Sequence, residues 1–231
     1  MKRICLYDMR AWVVGMLITV CLTVLGWDNC SMAHAGTDDP PGPFLSEVVL
    51  FGVRPISELE PSLFENERRQ CVESYRKAVS LQSPLWNWRD PKSAKDALTA
   101  KRCNLEAQMI VLLGQGAADE AAKFTHEIPL FVEWEGMSES PLEEVRLAEQ
   151  WLERYPGTSL RSFVQLFMAH RLRAAYECAH REQAKSLRTM AAGRYREQLA
   201  AALASANKLI VCIAKDLEAL DYVYLPGFAK P

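Results

Sequence analysis

Five residues of the 231-residue chain carry side chains that could do chemistry together: His170, Arg173, Glu177, His180 and Arg181. On a helix turning about 100° per residue they project within roughly a third of a turn of one another. Glu177-Cys178-Ala179-His180 reads E-x-x-H, a spacing that supplies two ligands in metal-bearing helical bundles. A di-metal centre of that kind needs a second E-x-x-H and further inward glutamates, and the chain has no second copy. His170 and Glu177 also stand two turns apart, about 10 Å, too far to share one ion. The expectation is a solvated polar stripe with Arg173 and Glu177 paired at i,i+4. The alternative is an envelope hydrolase or metal-binding helical enzyme using His170, Glu177 and His180.

Other candidate chemistry is thinner. His126-Glu127 beside Pro129 offers a base and a carboxylate on an expected loop, without geometry. Glu133, Glu135 and Glu139 gather around Trp134; paired carboxylates beside an aromatic occur in sugar-cleaving sites, but a loop does not space them. No haem-attachment cysteine pair, phosphate-binding glycine loop or G-x-S-x-G is present, so the sequence assigns no catalytic residue, metal or cofactor. Trp86, Trp88 and Trp134 concentrate in expected loops, and aromatic loops make good anchors for a protein or peptide partner.

The elements that must position these residues begin behind a leader. Lys2, Arg3 and Arg10 precede an uncharged run, Ala11–Trp27, and Ala33-His34-Ala35 closes it. That order predicts a signal peptide over residues 1–35, cleaved after Ala35, and a periplasmic or secreted chain beginning at Gly36. An uncleaved anchor is the alternative, since the apolar run is about 17 residues long, and membrane contact is expected only in that case. Cys21 and Cys30 follow Val20 and Asn29, not the small residue that lipoprotein processing requires.

Without the leader, 24 basic residues face 27 acidic ones, which argues against a nucleic-acid partner. Four cysteines then remain, Cys71, Cys103, Cys178 and Cys212, an even number that in an exported chain favours two disulfides. Hairpins pivoting near Asn87 and Gly193 would bring Cys71 level with Cys103, and Cys178 near Cys212.

Periodicity divides the rest into a linker with a short apolar segment (36–56), a helical domain (57–221) and an irregular end (222–231). Phe44–Val53 is either a β-like segment or a helical turn. Helices are expected over Pro61–Leu81, from Asp90-Pro91 to about Leu113, over Ala117–Thr125, and from a capping box at Ser140 and Glu143 to Tyr155-Pro156. The next, opening after Thr158 or Ser159, is apolar nearly all round from Leu160 to Leu172 and must be central. Gly193 is an expected break before a last amphipathic run, Tyr195–Leu220. No alternating strands occur, so the class is all-α, built from antiparallel helical hairpins or an irregular bundle.

Ala148, Trp151, Leu152, Tyr155-Pro156, Ser159, Leu166, Ala169 and Tyr176 resemble a tetratricopeptide-type helix pair of the periplasmic kind, covering about one repeat, residues 141–181. Proline stops the first helix, and small alanines permit close packing of the second. The resemblance implies a scaffold that binds a peptide or protein partner in a concave groove, with no catalytic residue.

Overall fold

The structure, a computed structural model, describes residues 49–50, 61–63, 66–82 and 92–231. The leader, most of the linker, Asp90-Pro91 and the Ser83–Asp90 loop with Trp86 and Trp88 lie outside the described residues. Within them the fold is all-α. Seven helices form it: α1 (Asn66–Gln82), α2 (Ala94–Leu113), α3 (Ala118–Glu127), α4 (Glu139–Arg154), α5 (Arg161–Arg181), α6 (Lys185–Leu203) and α7 (Lys208–Ala219). Short 3-10 turns lie at Pro61–Leu63 and Gln115–Ala117, and no strand occurs among the described residues. None of the described helices is long and apolar enough to cross a membrane.

Helix α5 is the axis. All fourteen residues from Leu166 to Ala179 are buried, so neighbours surround it on every side, as its nearly continuous apolar sequence requires. It packs most extensively on α6, then on α4, and also on α7. Ala175, Ala191 and Ala192, with Tyr176, make the α5–α6 interface, where missing side-chain bulk brings the helices close. The main core joins Tyr75, Met109, Phe124, Trp151, Phe163, Phe167, Leu199, Ile210 and Leu217. Val49 and Leu50 are helical and fully buried; the rest of the apolar segment Phe44–Val53 lies outside the described residues.

Local chemistry explains most helix ends. Gly114 closes α2 at φ +90°, and its N–H bonds the Ile110 carbonyl. Asn207 caps α7, its side chain accepting the N–H groups of Leu209 and Ile210. The α4–α5 turn is pinned by Glu120 of α3. Its carboxylate accepts the Thr158 and Ser159 hydroxyls at 2.7 and 2.8 Å and the Ser159 N–H at 2.9 Å. Those bonds, Thr158's first, hold Glu120 below the usual carboxylate range.

Four expectations change. Gly193 is no break, because α6 runs through it; the last amphipathic run divides instead at Ala204–Asn207, where the Asn207 cap starts a new helix. The α5–α6 stop falls at Gln183, which takes φ +57° while its N–H bonds His180 and that of Ala184 bonds Ala179. This is a glycine-type C-cap carried by glutamine, and so it left no glycine signal. The capping box does not form: α4 starts at Glu139, Glu143 pairs with Arg146, and the described α2 begins at Ala94, with the Ser93 hydroxyl bonding Asp96. His126-Glu127 lies in the last turn of α3 and not on a loop.

The cysteine pairing also differs. Cys71 bonds Cys212 across 141 residues, with Cα atoms 5.9 Å apart, while Cys103 and Cys178 are free thiols. One turn from the disulfide, Arg68 pairs with Asp216, and the two links together set α1 antiparallel to α7. The α1–α2 register is set by the buried Tyr75 hydroxyl donating to Gln108. Read antiparallel, that contact places Cys103 level with residue 80, about 13 Å along the helix from Cys71. Cys178 sits wholly buried in α5, where burial, with Glu182 and Glu177 nearby, pushes its thiol up to about 12.

Candidate functional site

The polar residues of α5 do not form a solvated stripe. His170, Arg171, Arg173 and Glu177 are each at most 1% exposed, because two segments without regular structure lie over them: the loop at 128–138 and the strap at 221–231. The i,i+4 bond between Arg173 Nε and Glu177 Oε1 does form, at 2.9 Å, but within a seam.

At one end of the seam, Glu144 of α4 meets Arg171 of α5. Arg171 Nε donates to Glu144 Oε2 at 2.8 Å with neither side chain exposed. The other carboxylate oxygen of Glu144 accepts the Phe131 N–H at 2.9 Å and the Trp134 indole N–H at 3.3 Å. Arg171 also reaches the Leu50 carbonyl at 2.7 Å, and its guanidinium lies 3.8 Å from the centre of the Phe167 ring. Lys101 of α2 donates to the Phe131 carbonyl. One ion pair thus gathers α4, α5, the 49–50 turn and the loop.

The electrostatics follow from burial. His170 Nδ1 lies 3.2 Å from Arg171 Nη1, and since a guanidinium only donates, the imidazole nitrogen accepts. Burial first, then the positive charges of Arg171 and Lys101, pushes His170 well below its ordinary value, so the ring is neutral. Burial likewise brings Lys101 down to about 8, with Arg171 adding to the shift and Glu144 opposing it.

At the other end, Glu177 holds the strap by its main chain. Its Oε1 accepts the N–H of Val223 at 2.9 Å, and its Oε2 accepts those of Tyr224 and Leu225 at 2.8 and 2.9 Å. Arg173 Nη2 donates to the Asp221 carbonyl at 2.7 Å. The Tyr224 ring stands 5.2 Å from Trp134, and its hydroxyl accepts the Gly136 N–H at 2.9 Å. Phe228 packs on His180 with ring centres 4.4 Å apart.

The loop is shaped to receive the strap. Residues 134–137 form a tight turn closed by the Met137 N–H on the Trp134 carbonyl, with φ +50° at Glu135 and +69° at Gly136. Positive φ at both central residues is the geometry that favours glycine. Arg181 grips the turn through the carbonyls of Glu135 and Gly136, and Glu182 accepts both the N–H and the hydroxyl of Ser138. Residues 134–138 alternate inward and outward: Trp134, Gly136 and Ser138 are buried, while Glu135 and Met137 face solvent. Val132, Glu133 and Glu139 are exposed beside them.

The structure therefore brings His170, Arg173, Glu177, His180 and Arg181 to one seam, but gives each a different neighbour. Trp134 is 2% exposed and bonded to Glu144, so it is a core residue and not an exposed anchor. Glu133, Glu135 and Glu139 are exposed, the first two on the loop and Glu139 at the start of α4. Among the described residues no three His, Cys, Asp or Glu side chains gather as a metal-binding group. Sequence reasoning missed Glu144, Arg171 and Lys101. A signal existed for two of them: Glu144 shares the i,i+4,i+7 face of Ala148 and Trp151, and Arg171 interrupts the all-round apolar stretch of α5. Comparison with protein-family models, curated proteins and solved structures finds no match for this chain.

Proposed function

We propose that this chain is an exported helical scaffold that binds a protein or peptide partner in the cell envelope. The observation that carries the reading is the Glu177 carboxylate receiving three successive main-chain N–H groups. A helix face that holds a bent main chain by its N–H groups in this way suits peptide ligation. It suits acid–base chemistry less well, because both carboxylate oxygens are already occupied.

Export rests on the n-, h- and c-region order of Met1–Ala35. The Cys71–Cys212 bond is in keeping with an oxidising compartment. The tetratricopeptide-type resemblance over residues 141–181, now helices α4 and α5, carries the same implication of a partner-binding scaffold. Trp86 and Trp88 remain the proposed anchors. An enzymatic use of His170, Glu177 and His180 has less support: His170 faces Arg171, Glu177 faces the strap, and His180 stacks on Phe228.

The test is recovery of a specific partner by crosslinking the tagged protein in an envelope fraction. Truncating a central interface tryptophan commonly costs about 2 kcal/mol or more. Trp86→Ala with Trp88→Ala should therefore weaken recovery about thirtyfold while helicity is retained. Undiminished recovery would remove the anchors, and retention of residues 1–35 in the purified protein would remove the export reading.

A further inference from the structure

We infer that the α5 seam is a peptide-binding cleft occupied in cis by the 221–231 strap, and that its external ligand is a partner segment that curls its main chain onto Glu177 and presents an aromatic pair four residues apart. The inference rests on the partner-binding reading above and names the ligand class.

Two kinds of contact define the cleft. The first reads backbone: Glu177 accepts the N–H groups of residues 223–225, and Arg173 donates to the carbonyl of Asp221. Three successive N–H groups meet one carboxylate only where the backbone curls, and residues 223–227 bend throughout, so these contacts fix a curled conformation and its direction without regard to sequence. The second reads side chains. Trp134 and the Gly136 N–H form a socket for Tyr224, and His180 forms one for Phe228. The strap thus displays the chemistry the cleft selects, Tyr224-Leu225-Pro226-Gly227-Phe228, in which Pro226 donates no N–H and Gly227 turns at φ +93°.

The strap is built to leave. Leu220 is the last buried residue of the chain; from Asp221 to Pro231 every residue is half-buried or exposed. Little apolar surface is lost on release, so the strap is held by polar main-chain bonds and by its tether. The cleft also survives its departure. Arg173 and Glu177 stay paired at 2.9 Å, Arg181 keeps the carbonyls of Glu135 and Gly136, and Trp134 keeps Glu144. A short tether supplies an effective concentration in the millimolar range, so an untethered segment must bind more tightly than the strap does to displace it. Cis occupancy therefore excludes weak peptides and admits a segment with better aromatic anchors.

The experiment uses the full chain and a fluorescein-labelled synthetic peptide of residues 221–231 as probe. Tyr224→Ala with Phe228→Ala removes the strap's own anchors and leaves the cleft residues intact. Anisotropy should show this variant binding the probe at least tenfold more tightly than wild type, and Glu177→Gln added to it should undo most of the gain. Equal binding by variant and wild type, with unchanged circular dichroism, overturns the inference. Should the variant not fold, hydrogen exchange on the wild type decides. Amides of residues 223–225 should exchange faster than those of residues 166–179, and exchange only with global unfolding overturns it. Concentration-dependent dimers that disappear on removing the strap would assign the cleft to a second copy of this chain and overturn the partner assignment. A negative probe result with intact envelope capture leaves the scaffold reading standing; loss of capture with a positive probe result does the reverse.

Discussion

Glu144 and Arg171 form an ion pair, Nε to Oε2 at 2.8 Å, in which neither side chain reaches solvent. Its other described pairings are with backbone or an aromatic ring, so the pair works as a junction between four segments of chain. Removing one partner leaves the other charge buried, which typically costs about 3–5 kcal/mol. Arg171→Met should lower the urea midpoint accordingly. Glu144→Leu with Arg171→Met should cost less than the sum of the single changes, because no charge is then stranded. Additive losses in a double-mutant cycle would show that the pair is not coupled.

Gly136 is required twice over. Its φ is +69°, and a Cβ there would lie 2.0 Å from Arg181 Nη2. Gly136→Ala should therefore destabilise by about 1–2 kcal/mol and displace Arg181 from the turn. Once Arg181 is alanine, the same glycine change should cost measurably less, as read by thermal denaturation of the four proteins.

Gln183 stands in the opposite position, an exposed non-glycine residue at φ +57° in the C-cap of α5. Gln183→Gly relieves that conformation and should raise stability by about 0.5–1 kcal/mol, a gain of a few degrees in Tm. A loss of stability would mean that the glutamine side chain contributes more than its backbone strain takes away.

Lys101 sets an alkaline signature. Its folded value is about 8, below the ordinary value of 10.5. Under about pH 8 both folded and unfolded chains hold the proton; between the two values the unfolded chain holds one that the folded chain has released. Stability from this group therefore rises with pH across that window. Above pH 9 the buried Cys178 thiol, with its folded value near 12, acts in the other direction. Wild type should accordingly gain stability relative to Lys101→Met between pH 8 and 9, and parallel pH profiles would refute the shift.

The Cys71–Cys212 bond closes a loop of 141 residues, for which the chain-entropy account gives up to about 5 kcal/mol. Reduction, or Cys71→Ser with Cys212→Ser, should lower the denaturant midpoint by about 2–5 kcal/mol in stability. Peptide mapping should recover this crosslink and leave the thiols of Cys103 and Cys178 unbridged.

The helices were largely legible because their causes are local. Pro156 stops α4, Gly114 stops α2, and the apolar run Leu160–Leu172 can only be a buried axis. The central place of α5 and the Arg173–Glu177 pairing follow from periodicity alone. A loop carrying Trp134 was legible as well, though not the burial of Trp134 within it. The helix ends that were misread lacked a residue-type signal: glutamine takes the left-handed cap at 183, and glycine at 193 sits inside a helix.

What the sequence determines by itself is the all-α class, most of the helices and the polar residues along one side of α5, since each depends on neighbours within a few positions. Tertiary structure alone decides the rest. Cys71 meets Cys212 because α1 packs antiparallel to α7, and the Tyr75–Gln108 register keeps Cys103 away. Glu177 becomes a clamp because residues 46 to 48 positions further on lie across it. Periodicity assigns a residue to a face; only packing determines whether that face meets water, another helix or an irregular strap.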